Sequence, residues 1–476
     1  MDSERYRYFE ELFHPQSIAI VGASEPNAFY ILPLLESKFS GKVYLVNPNR
    51  TELFGLKCYP SILDIDGSID YVISAIPARF ALELMKECVE KGVKTVQYYT
   101  SGFSETGKPD DIKLEEELLK IARAGDVRII GPNCMGLYVP ESGVSFFYDF
   151  PRESGPVALV AQSGALAIGI IMLGRARGIR FSKLISFGNA ADFDSSDFIE
   201  YLAEDPKTEI ITAYLEGVKD GRKLLSVLKE ANLRKPVVVL KGGRTSEGAR
   251  AASSHTGSLS GSANIWNTVF KQLGVVTVNT VEELTDTVLA FTQVPKPRGR
   301  GVLIVSFSGG FTVVQSDICT ELGLKIPVIS RKSTEEINKI VHSAGSSIKN
   351  PLDIPSAYLS NDIVAKSLSV AASEDSIDIV LFDFTDRLRV FFERASNIEG
   401  YSVLLETVIN SAKYVRDVLG KPFLVALPPS YYEDEGRKLK DLFQSEGFPV
   451  FPSADRAAKA VSNVLNYYDF LKGKAT

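Results

Sequence analysis

The feature that most constrains this chain is a recurring unit. A short apolar run rich in β-branched residues ends in Gly, Ser, Asn or Pro, and a helical pattern follows it. Continuous apolar strands that alternate with helices predict βαβ units, with parallel sheets covered on both faces. We therefore predict an α/β fold in which the strand carboxyl ends, where ligands normally bind, share one edge of each sheet. The strand candidates are residues 17–21, 43–47, 71–76, 95–99, 127–130, 157–161, 183–187, 210–214, 237–240, 302–307, 377–383 and 423–427.

The length of the chain predicts several domains, because 476 residues exceed what one hydrophobic core usually fills. Residues 140–155 and 295–301 lack a regular period and are rich in Pro, Gly, Ser or basic residues, as linkers often are. We predict three domains, at residues 1–147, 148–297 and 298–476.

Composition excludes several classes of function. The balance of 53 basic and 59 acidic side chains gives a net charge of -6, which does not support nucleic-acid binding. No run approaches the ~18 apolar residues of a membrane span, and the first residues show no signal-peptide pattern. The four cysteines lie far apart without CxxC spacing, so neither a metal site nor a disulfide framework is indicated. We expect a cytoplasmic protein with reduced thiols.

The first motif is the Gly22-Ala23-Ser24 turn after the opening strand. Gly at a strand end lets the backbone approach a phosphate, and the N-terminus of the following helix favours anions. A simple tight turn is the alternative. NAD use is disfavoured because further glycines are missing and the second strand ends in Asn47 rather than in an acidic residue.

Three other strand ends in this domain carry small or polar residues, namely Pro77, the Ser101-Gly102 turn and the Asn133-Cys134 turn. Their convergence at one edge predicts a site for a nucleotide-sized ligand. Cys134 has no His near it in sequence, so a structural or ligand-contacting role is favoured over a nucleophilic one.

The second domain opens similarly, because Ser163-Gly164 follow a strand and begin an apolar helix. Such a helix N-terminus can hold phosphate, although Ser is also a common N-cap.

His255 gives the strongest signal. It lies among small residues in the segment 249–261, which we predict to be an accessible loop rich in Ser and Gly. An imidazole that is neutral near pH 7 can accept phosphate, and it needs a partner for its other nitrogen. Glu216, at a neighbouring strand end, supplies a carboxylate; a capping or hydrogen-bonding role for His255 is the alternative. His14 and His342 lack such surroundings and are interpreted as structural.

These motifs, taken in order, resemble one family. The sequences VGAS, SGFSE, GPNCMG, AQSGALA, YLEG and KPVVVLKGGRTSEGARAASSHTGSLSG are similar to those of the α subunit of NDP-forming (ADP-forming) acyl-CoA synthetases, in the succinyl-CoA synthetase superfamily. The resemblance covers about residues 10 to 460, and its most specific part is the segment 235–261.

The resemblance implies a Rossmann-like domain that binds CoA through the four strand-end turns named above, followed by two flavodoxin-like domains. It implies that His255 carries phosphate as the catalytic residue, that Glu216 orients His255, and that Ser163 and Gly164 cradle the phosphate. Ile168 stands where succinyl-specific relatives have a tyrosine, which favours a neutral or hydrophobic acyl group.

The implied reaction interconverts acyl-CoA, ADP and phosphate with a free acid, ATP and CoA, through an acyl phosphate and a phosphohistidine. The family's nucleotide site is an ATP-grasp module with Mg²⁺, which we expect on a separate β subunit of a hetero-oligomer. Two alternatives remain. One is a CoA-binding regulatory or scaffolding protein that lost turnover, since the first Gly turn is shortened. The other is a fused protein acetyltransferase, for which no segment is left over.

Overall fold

The computed structural model describes residues 1–37, 39–256, 262–341, 347–353, 361–428 and 432–475. These residues form three successive sheets covered by helices, which confirms the predicted α/β fold. The chain divides into two compact units, Met1–Leu284 with the first two sheets and Thr285–Thr476 with the third. The domain limits at 147 and 297 stay predictions, and His342 lies outside the described residues.

The first sheet has seven strands in the order β3-β4-β2-β1-β5-β6-β7. Without the short antiparallel β3, this order is that of the doubly wound Rossmann fold, whose ligands bind where the strand order reverses, here between β1 and β5. The strands are β1 (Ser17–Val21), β2 (Lys42–Val46), β3 (Glu52–Leu53), β4 (Leu56–Tyr59), β5 (Tyr71–Ser74), β6 (Thr95–Tyr98) and β7 (Arg128–Ile130).

The second sheet has the order β13-β12-β11-β9-β10-β8. Its parallel strands β9 to β13 follow the flavodoxin order, which places the ligand edge between β9 and β11, and β8 adds an antiparallel edge. The strands are β8 (Gly136–Tyr138), β9 (Val157–Ala161), β10 (Phe181–Ser186), β11 (Ile210–Leu215), β12 (Val237–Lys241) and β13 (Val276–Val278).

The third sheet has the order β15-β16-β14-β17-β18-β19 and repeats the flavodoxin order from β14 onward. Its first turn lies between β14 and α11, and its ligand edge falls between β14 and β17. The strands are β14 (Val302–Ser306), β15 (Ser347–Ile348), β16 (Leu352–Asp353), β17 (Ile379–Asp383), β18 (Phe423–Ala426) and β19 (Val450–Phe451).

Amphipathic helices cover the sheets and bury apolar side chains against them. No helix in the described part of the chain combines the length and the apolar character needed to cross a membrane. The helices are α1 (Ser3–Phe13), α2 (Ala28–Glu36), α3 (Ala81–Lys91), α4 (Pro109–Ala124), α5 (Gly164–Arg175), α6 (Ser195–Glu204), α7 (Gly221–Arg234), α8 (Ser246–Thr256), α9 (Ala263–Leu273), α10 (Val281–Gln293), α11 (Gly309–Glu321), α12 (Arg331–Asn338), α13 (Asn361–Ala372), α14 (Arg387–Arg394), α15 (Ile398–Lys413), α16 (Glu433–Ser445) and α17 (Ala454–Ala475).

One prediction about the segment 249–261 is wrong, because α8 runs to Thr256 and includes His255 in its last turn. The reason lies at the start of α8, where Thr245 Oγ1 accepts the N–H of Gly248 at 3.1 Å and begins the helix. A run of alanines, which have the highest helix propensity, then continues it. The side chain of His255 and all of residues 257–261 lie outside the described part of the chain.

An ion pair holds the first two sheets together. Arg128, at the start of β7, donates to both carboxylate oxygens of Asp192 at 2.7 and 3.0 Å. Its guanidinium also lies 3.9 Å from the centre of the Phe193 ring. Bidentate arginine–carboxylate pairs fix geometry as well as energy, so the loop after β10 is fixed against the first sheet. The turns after β7 and β10 are therefore brought to one place.

Candidate functional site

The β1–Gly22 turn lies at the switch point of the first sheet. Gly22 has φ +86°, and a methyl group there would lie 2.9 Å from Ile76 Cγ2 and 3.0 Å from the carbonyl oxygen of Ala75. Only glycine fits this close approach. The N–H groups of Gly22 and Ala23 both donate to the carbonyl of Val46, at 3.0 and 3.2 Å. They are therefore engaged within the sheet.

The neighbouring turns adjoin that point. Ser24 is half-buried and precedes the turn Glu25–Asn27, which its side chain does not cap. Pro77 and Ser101 are exposed at the ends of β5 and β6. Gly102, with φ +106°, would place a methyl group 3.3 Å from Cβ of Ala78, so these two turns touch. The structure thus brings the predicted turns to one edge of the first sheet.

Asn133 and Cys134 differ in what they offer a ligand. Asn133 is half-buried in the left-handed region at φ +57°, which Asn tolerates well. The Cys134 thiol points inward, with Sγ 3.6 Å from the carbonyl oxygens of both Tyr98 and Ile130. Burial raises the pKa of the Cys134 thiol far above its ordinary value. Cys134 therefore remains a protonated, structural thiol.

The loop after β10 closes against the turn after β7. A methyl group at Gly188, which has φ +51°, would overlap the carbonyl oxygens of Pro132 and Asn133. The neighbouring Asn189 donates from its N–H to the Pro132 carbonyl at 3.0 Å and from its side chain to Glu105 at 2.5 Å. The carboxyl edges of the first two sheets therefore form one continuous site.

Ser163 and Gly164 begin α5 inside this site. Ser163 Oγ accepts the N–H of Leu166 at 3.4 Å, so the cap is a long one. A methyl group at Gly164 would overlap Cγ of Met135, which belongs to the turn after β7. The positive end of the α5 dipole therefore lies beside the Asn133–Met135 turn, where an anion is favoured.

Glu216, which follows β11, is buried, with 4% of its surface exposed. Hydrogen bonds reach both its backbone and its carboxylate. Tyr214 donates from its hydroxyl to Glu216 Oε1 at 3.0 Å. Gln162 Oε1 accepts the backbone N–H groups of both Glu216 and Gly217, the second at 3.0 Å. Lys241 Nζ donates to the carbonyl oxygen of Glu216 at 2.7 Å. The backbone of Glu216 is therefore held at the switch point between β9 and β11, and the Tyr214 hydroxyl contacts its carboxylate.

The charges around Glu216 are linked. Burial lowers the pKa of Lys241 to about 8, and the Glu216 carboxylate acts in the opposite direction by favouring the ammonium. Burial, and then the adjacent carboxylate, raises the pKa of Tyr214 well above its ordinary range, so its hydroxyl stays a donor. A buried ammonium and a neutral hydroxyl donor therefore both contact Glu216, the first at its carbonyl and the second at its carboxylate.

The helix that carries His255 starts from this edge. Strand β12 ends at Lys241, next to Glu216, and α8 begins at Ser246. Helix α8 also contacts the turn Ser104–Thr106 of the first sheet. Helix α8, which contains His255, therefore starts at the shared edge of the first two sheets. The pairing of His255 with Glu216 stays a prediction.

Comparison with known proteins then decides the family. Residues 16–140 match the family described as a CoA binding domain, and residues 154–291 match the succinyl-CoA ligase like flavodoxin domain. The α subunit of an ADP-forming acetate–CoA ligase II from Pyrococcus furiosus is 35% identical over 94% of this chain and 95% of that protein. The chain belongs to the family of ADP-forming acyl-CoA synthetase α subunits.

Two further relatives agree with this family. An ADP-forming 4-hydroxybutyrate–CoA ligase from Nitrosopumilus maritimus is 32% identical over 98% of this chain and 65% of that protein. A dinucleotide-forming acetyl-coenzyme A synthetase from Candidatus Korarchaeum cryptofilum, solved with phosphate and ADP, superposes with a TM-score of 0.82. It is 31% identical and covers 98% of this chain and 97% of that chain. The resemblance drawn from the motifs is thereby confirmed.

As an ADP-forming acyl-CoA synthetase α subunit, the chain is part of an acid–thiol ligase. The region that matches the CoA binding domain contains the first, Rossmann-like sheet. Among the described residues, no group of three or more His, Cys, Asp or Glu side chains is arranged to hold a metal ion. The roles of the individual site residues remain predictions.

Sequence reasoning assigned no role to Gln162, Lys241 or Asn189, all of which organise the site. Lys241 is the last residue of β12, Gln162 directly follows β9, and Asn189 lies three residues after β10. Their signal was a polar residue at or just after the end of a strand, within two residues of a glycine. That signal does not reveal which neighbouring strand the side chain reaches.

Proposed function

We propose that this chain is the subunit of an ADP-forming acyl-CoA synthetase that binds CoA and carries phosphate on His255. One observation supports this assignment most. At the switch point of the second sheet, beside the N-terminus of α5, the buried carboxylate of Glu216 accepts from the Tyr214 hydroxyl, while Gln162 and Lys241 hold its backbone N–H and its carbonyl. A binding module would not require a buried carboxylate held in this way.

The proposed reaction moves phosphate in three steps. A phosphate oxygen attacks the thioester carbon of the acyl-CoA, the C–S bond breaks, and CoA leaves as the thiolate. A nitrogen of neutral His255 then attacks phosphorus, and the P–O bond to the acyl group breaks to release the carboxylate. Finally, a β-phosphate oxygen of ADP takes the phosphoryl group from His255 and gives ATP. Glu216 stabilises the positive charge that His255 acquires.

The neighbouring residues divide the remaining work. Ser163 and Gly164 hold the phosphate at the N-terminus of α5, where backbone N–H groups and the helix dipole favour an anion. The exposed Pro77 and Ser101, with the half-buried Gly102 and Asn133, provide the CoA surface. Cys134 supports that turn from inside through its buried thiol.

The nucleotide site is proposed to lie on an ATP-grasp β subunit, with Mg²⁺ bound to the nucleotide. Two findings support a separate module. The Pyrococcus relative is named as an α subunit, and the chain spans 65% of the length of the Nitrosopumilus ligase. The remaining third of that relative has room for the module that this subunit needs.

The acyl group is proposed to be a monocarboxylate. Ile168, half-buried on the first turns of α5, offers no donor for a second carboxylate. The relatives' names specify acetate and 4-hydroxybutyrate, which each carry one carboxylate. A panel of acids, with succinate as the control, tests this choice through the rate of acyl-CoA formation.

Phosphate labelling tests the proposal. The chain is isolated with its co-purifying partner and supplied with Mg²⁺ and γ-labelled ATP, and an acid-labile label is expected on this chain. His255→Ala is expected to lose the label and the turnover while CoA binding persists. An acid-labile label of normal extent in His255→Ala would overturn the mechanism.

A regulatory CoA-binding protein is the second candidate. The observation behind it is the altered first turn, where the Gly22 and Ala23 N–H groups bond to Val46, so CoA would be held there in a mode that does not use them. CoA binding without any label, in the presence of an active ATP-grasp partner, would select this candidate.

A further inference from the structure

Lys241 is a buried cation at the carboxyl end of β12 for which the proposed reaction has no role. The residue is 5% exposed, and its ammonium donates to the carbonyl oxygen of Glu216 at 2.7 Å and to that of Gly242. Both carbonyls belong to residues that follow a strand, beyond the hydrogen bonds of the β-ladder. Lys241 therefore ties the end of β11 to the end of β12.

An aromatic ring covers the same ammonium. The centre of the Trp266 ring lies 5.0 Å from Lys241 Nζ, within the range of a cation–π contact. Trp266 belongs to α9, which follows the segment that carries His255, whereas Lys241 precedes that segment. The contact therefore joins the two ends of the chain segment between β12 and α9 at the position of Glu216.

Two of these contacts bear on the orientation of Glu216. Gln162 holds the N–H of Glu216, Lys241 holds its carbonyl, and the Tyr214 hydroxyl donates to its carboxylate. Fixing both sides of a residue's backbone sets the direction of its side chain. A nearby ammonium also offsets negative charge where a carboxylate and a phosphate must approach each other.

We propose that Lys241, covered by Trp266, is a positioning residue that orients Glu216 for phosphate transfer to His255. This inference rests on the proposed function and adds a residue to it. A structural role alone would make Lys241 important for folding without a specific effect on the rate of phosphorylation.

Lys235 offers a matched control beside the same strand. It lies just before β12, at the opposite end of the strand, and its ammonium also donates to two backbone carbonyls, those of Leu202 at 2.7 Å and Asp205 at 2.6 Å. Burial lowers the pKa of Lys235 as well. Lys235→Met therefore removes the same chemistry away from the site.

The experiment compares Lys241→Met and Lys235→Met in the complex with the partner subunit. We expect Lys241→Met to slow acid-labile labelling from γ-labelled ATP by about 10- to 100-fold, because small displacements of a reacting pair cost rates of that order. The KM for CoA should stay within about twofold. Lys235→Met should label at nearly the normal rate, with a similar change in thermal midpoint.

A second variant covers the possibility that Lys241→Met does not fold. Trp266→Leu removes the ring from a half-exposed site on α9, and it is expected to slow labelling by about 3- to 10-fold, while Trp266→Phe keeps a ring and most of the rate. Trp266 is the single tryptophan of the sequence, so the emission of the full chain reports its surroundings. A changed emission in folded Lys241→Met is the expected signature of the lost contact.

The outcomes separate this inference from the function on which it rests. If His255→Ala loses the label but Lys241→Met and Trp266→Leu label normally, the positioning role is wrong and the function stands. Equal slowing by Lys241→Met and Lys235→Met would also overturn it, in favour of a general effect on folding. If His255→Ala keeps the label, the proposed function itself fails.

Discussion

The second and third sheets share the flavodoxin strand order but surround the acidic residues at their ligand edges with different groups. In each, a turn with glycine follows the first strand and begins a helix, and an acidic residue ends or follows the third strand. In the second sheet that residue is Glu216, and in the third it is Asp383. Glu216 accepts from the Tyr214 hydroxyl at its carboxylate and from Lys241 at its carbonyl.

The third edge buries its carboxylates with fewer partners. Asp383 accepts from Gln315 Nε2 at 2.7 Å and from Ser306 Oγ at 3.2 Å. Ser306 pairs with Asp353 on the neighbouring strand β16. Within the described part of the chain, neither the buried Oδ1 of Asp353 nor the buried Oε1 of Gln315 has a hydrogen-bond partner. Among the described residues, neither aspartate forms an ion pair. Burial raises the pKa of both aspartates.

The difference shows that a shared strand order places acidic residues alike but does not decide their charge. The Lys241 ammonium lies beside Glu216, whereas burial with no ion pair among the described residues favours the protonated form of Asp353 and Asp383. Charge-dependent catalysis is therefore expected at the second edge.

The largest expected effect tests this difference directly. Glu216→Gln keeps the size and the hydrogen bond from Tyr214 but removes the charge that would stabilise a cationic His255. We expect the rate of acid-labile labelling to fall by about 100-fold or more. Asp383→Asn, the equivalent change in the third sheet, should label within about twofold of the normal rate.

The comparison would break if both variants slowed labelling equally, because the two carboxylates would then share the chemistry. Circular dichroism and the thermal midpoint of each variant verify that the loss is not one of folding. CoA binding by Glu216→Gln should remain normal.

A second effect concerns the glycines that begin the two helices. A methyl group at Gly164 would overlap Met135 Cγ, and one at Gly309 would lie 2.6 Å from Asp353 Oδ2. We expect Gly164→Ala and Gly309→Ala each to lower the free energy of unfolding by about 1–3 kcal/mol, the usual cost of overpacking. Urea unfolding measures this loss.

The two glycine variants should differ in ligand binding. Gly164→Ala displaces Met135 and with it the turn at Asn133, so CoA affinity is expected to fall several-fold. Gly309→Ala should leave CoA affinity unchanged. Equal CoA affinities in the two variants would remove the Asn133 turn from the proposed CoA surface. Gly221→Ala, where a methyl group meets nothing within 4 Å, is a control without overlap.

Much of the fold could be predicted from the sequence, because a buried parallel strand is a continuous run of apolar residues that can be recognised without knowing its neighbours in space. The strand Ser17–Val21 and the strand Val157–Ala161 begin and end where the apolar pattern does. The short strands Gly136–Tyr138 and Leu352–Asp353 were missed, since two or three residues hold too little periodicity. Tertiary pairing alone makes them strands.

The site was predictable only where its chemistry is local. The glycine at Gly22 and the helix start at Ser163 follow from the strand-turn-helix pattern. The contact of Lys241 with the Glu216 carbonyl depends on which strands are neighbours, a property of topology that spacing does not contain. The helix that contains His255 was predicted to be a loop, because Ser and Gly residues favour loops and the alanines of the same segment, which favour a helix, were given less weight.

The smallest expected effect is the pH dependence of the third unit. Because burial raises the pKa of Asp383, the folded state binds its proton more tightly than the unfolded state. Stability is then greatest at acidic pH and declines as pH rises from the unfolded pKa through the folded one. Asp383→Asn removes this dependence, and its amide can donate to the unpartnered Gln315 Oε1.

We therefore expect Asp383→Asn to be more stable than the parent chain by about 1 kcal/mol at pH 7.5, with the advantage fading toward pH 4. Urea unfolding at both pH values measures the difference, and Ser306→Ala, which removes the other donor to Asp383, should act in the opposite direction at pH 7.5. A loss of stability in Asp383→Asn that is largest at neutral pH would mean that Asp383 is ionised and stabilised in place. The third edge would then match the second in charge, and the contrast between them would rest on Lys241 alone.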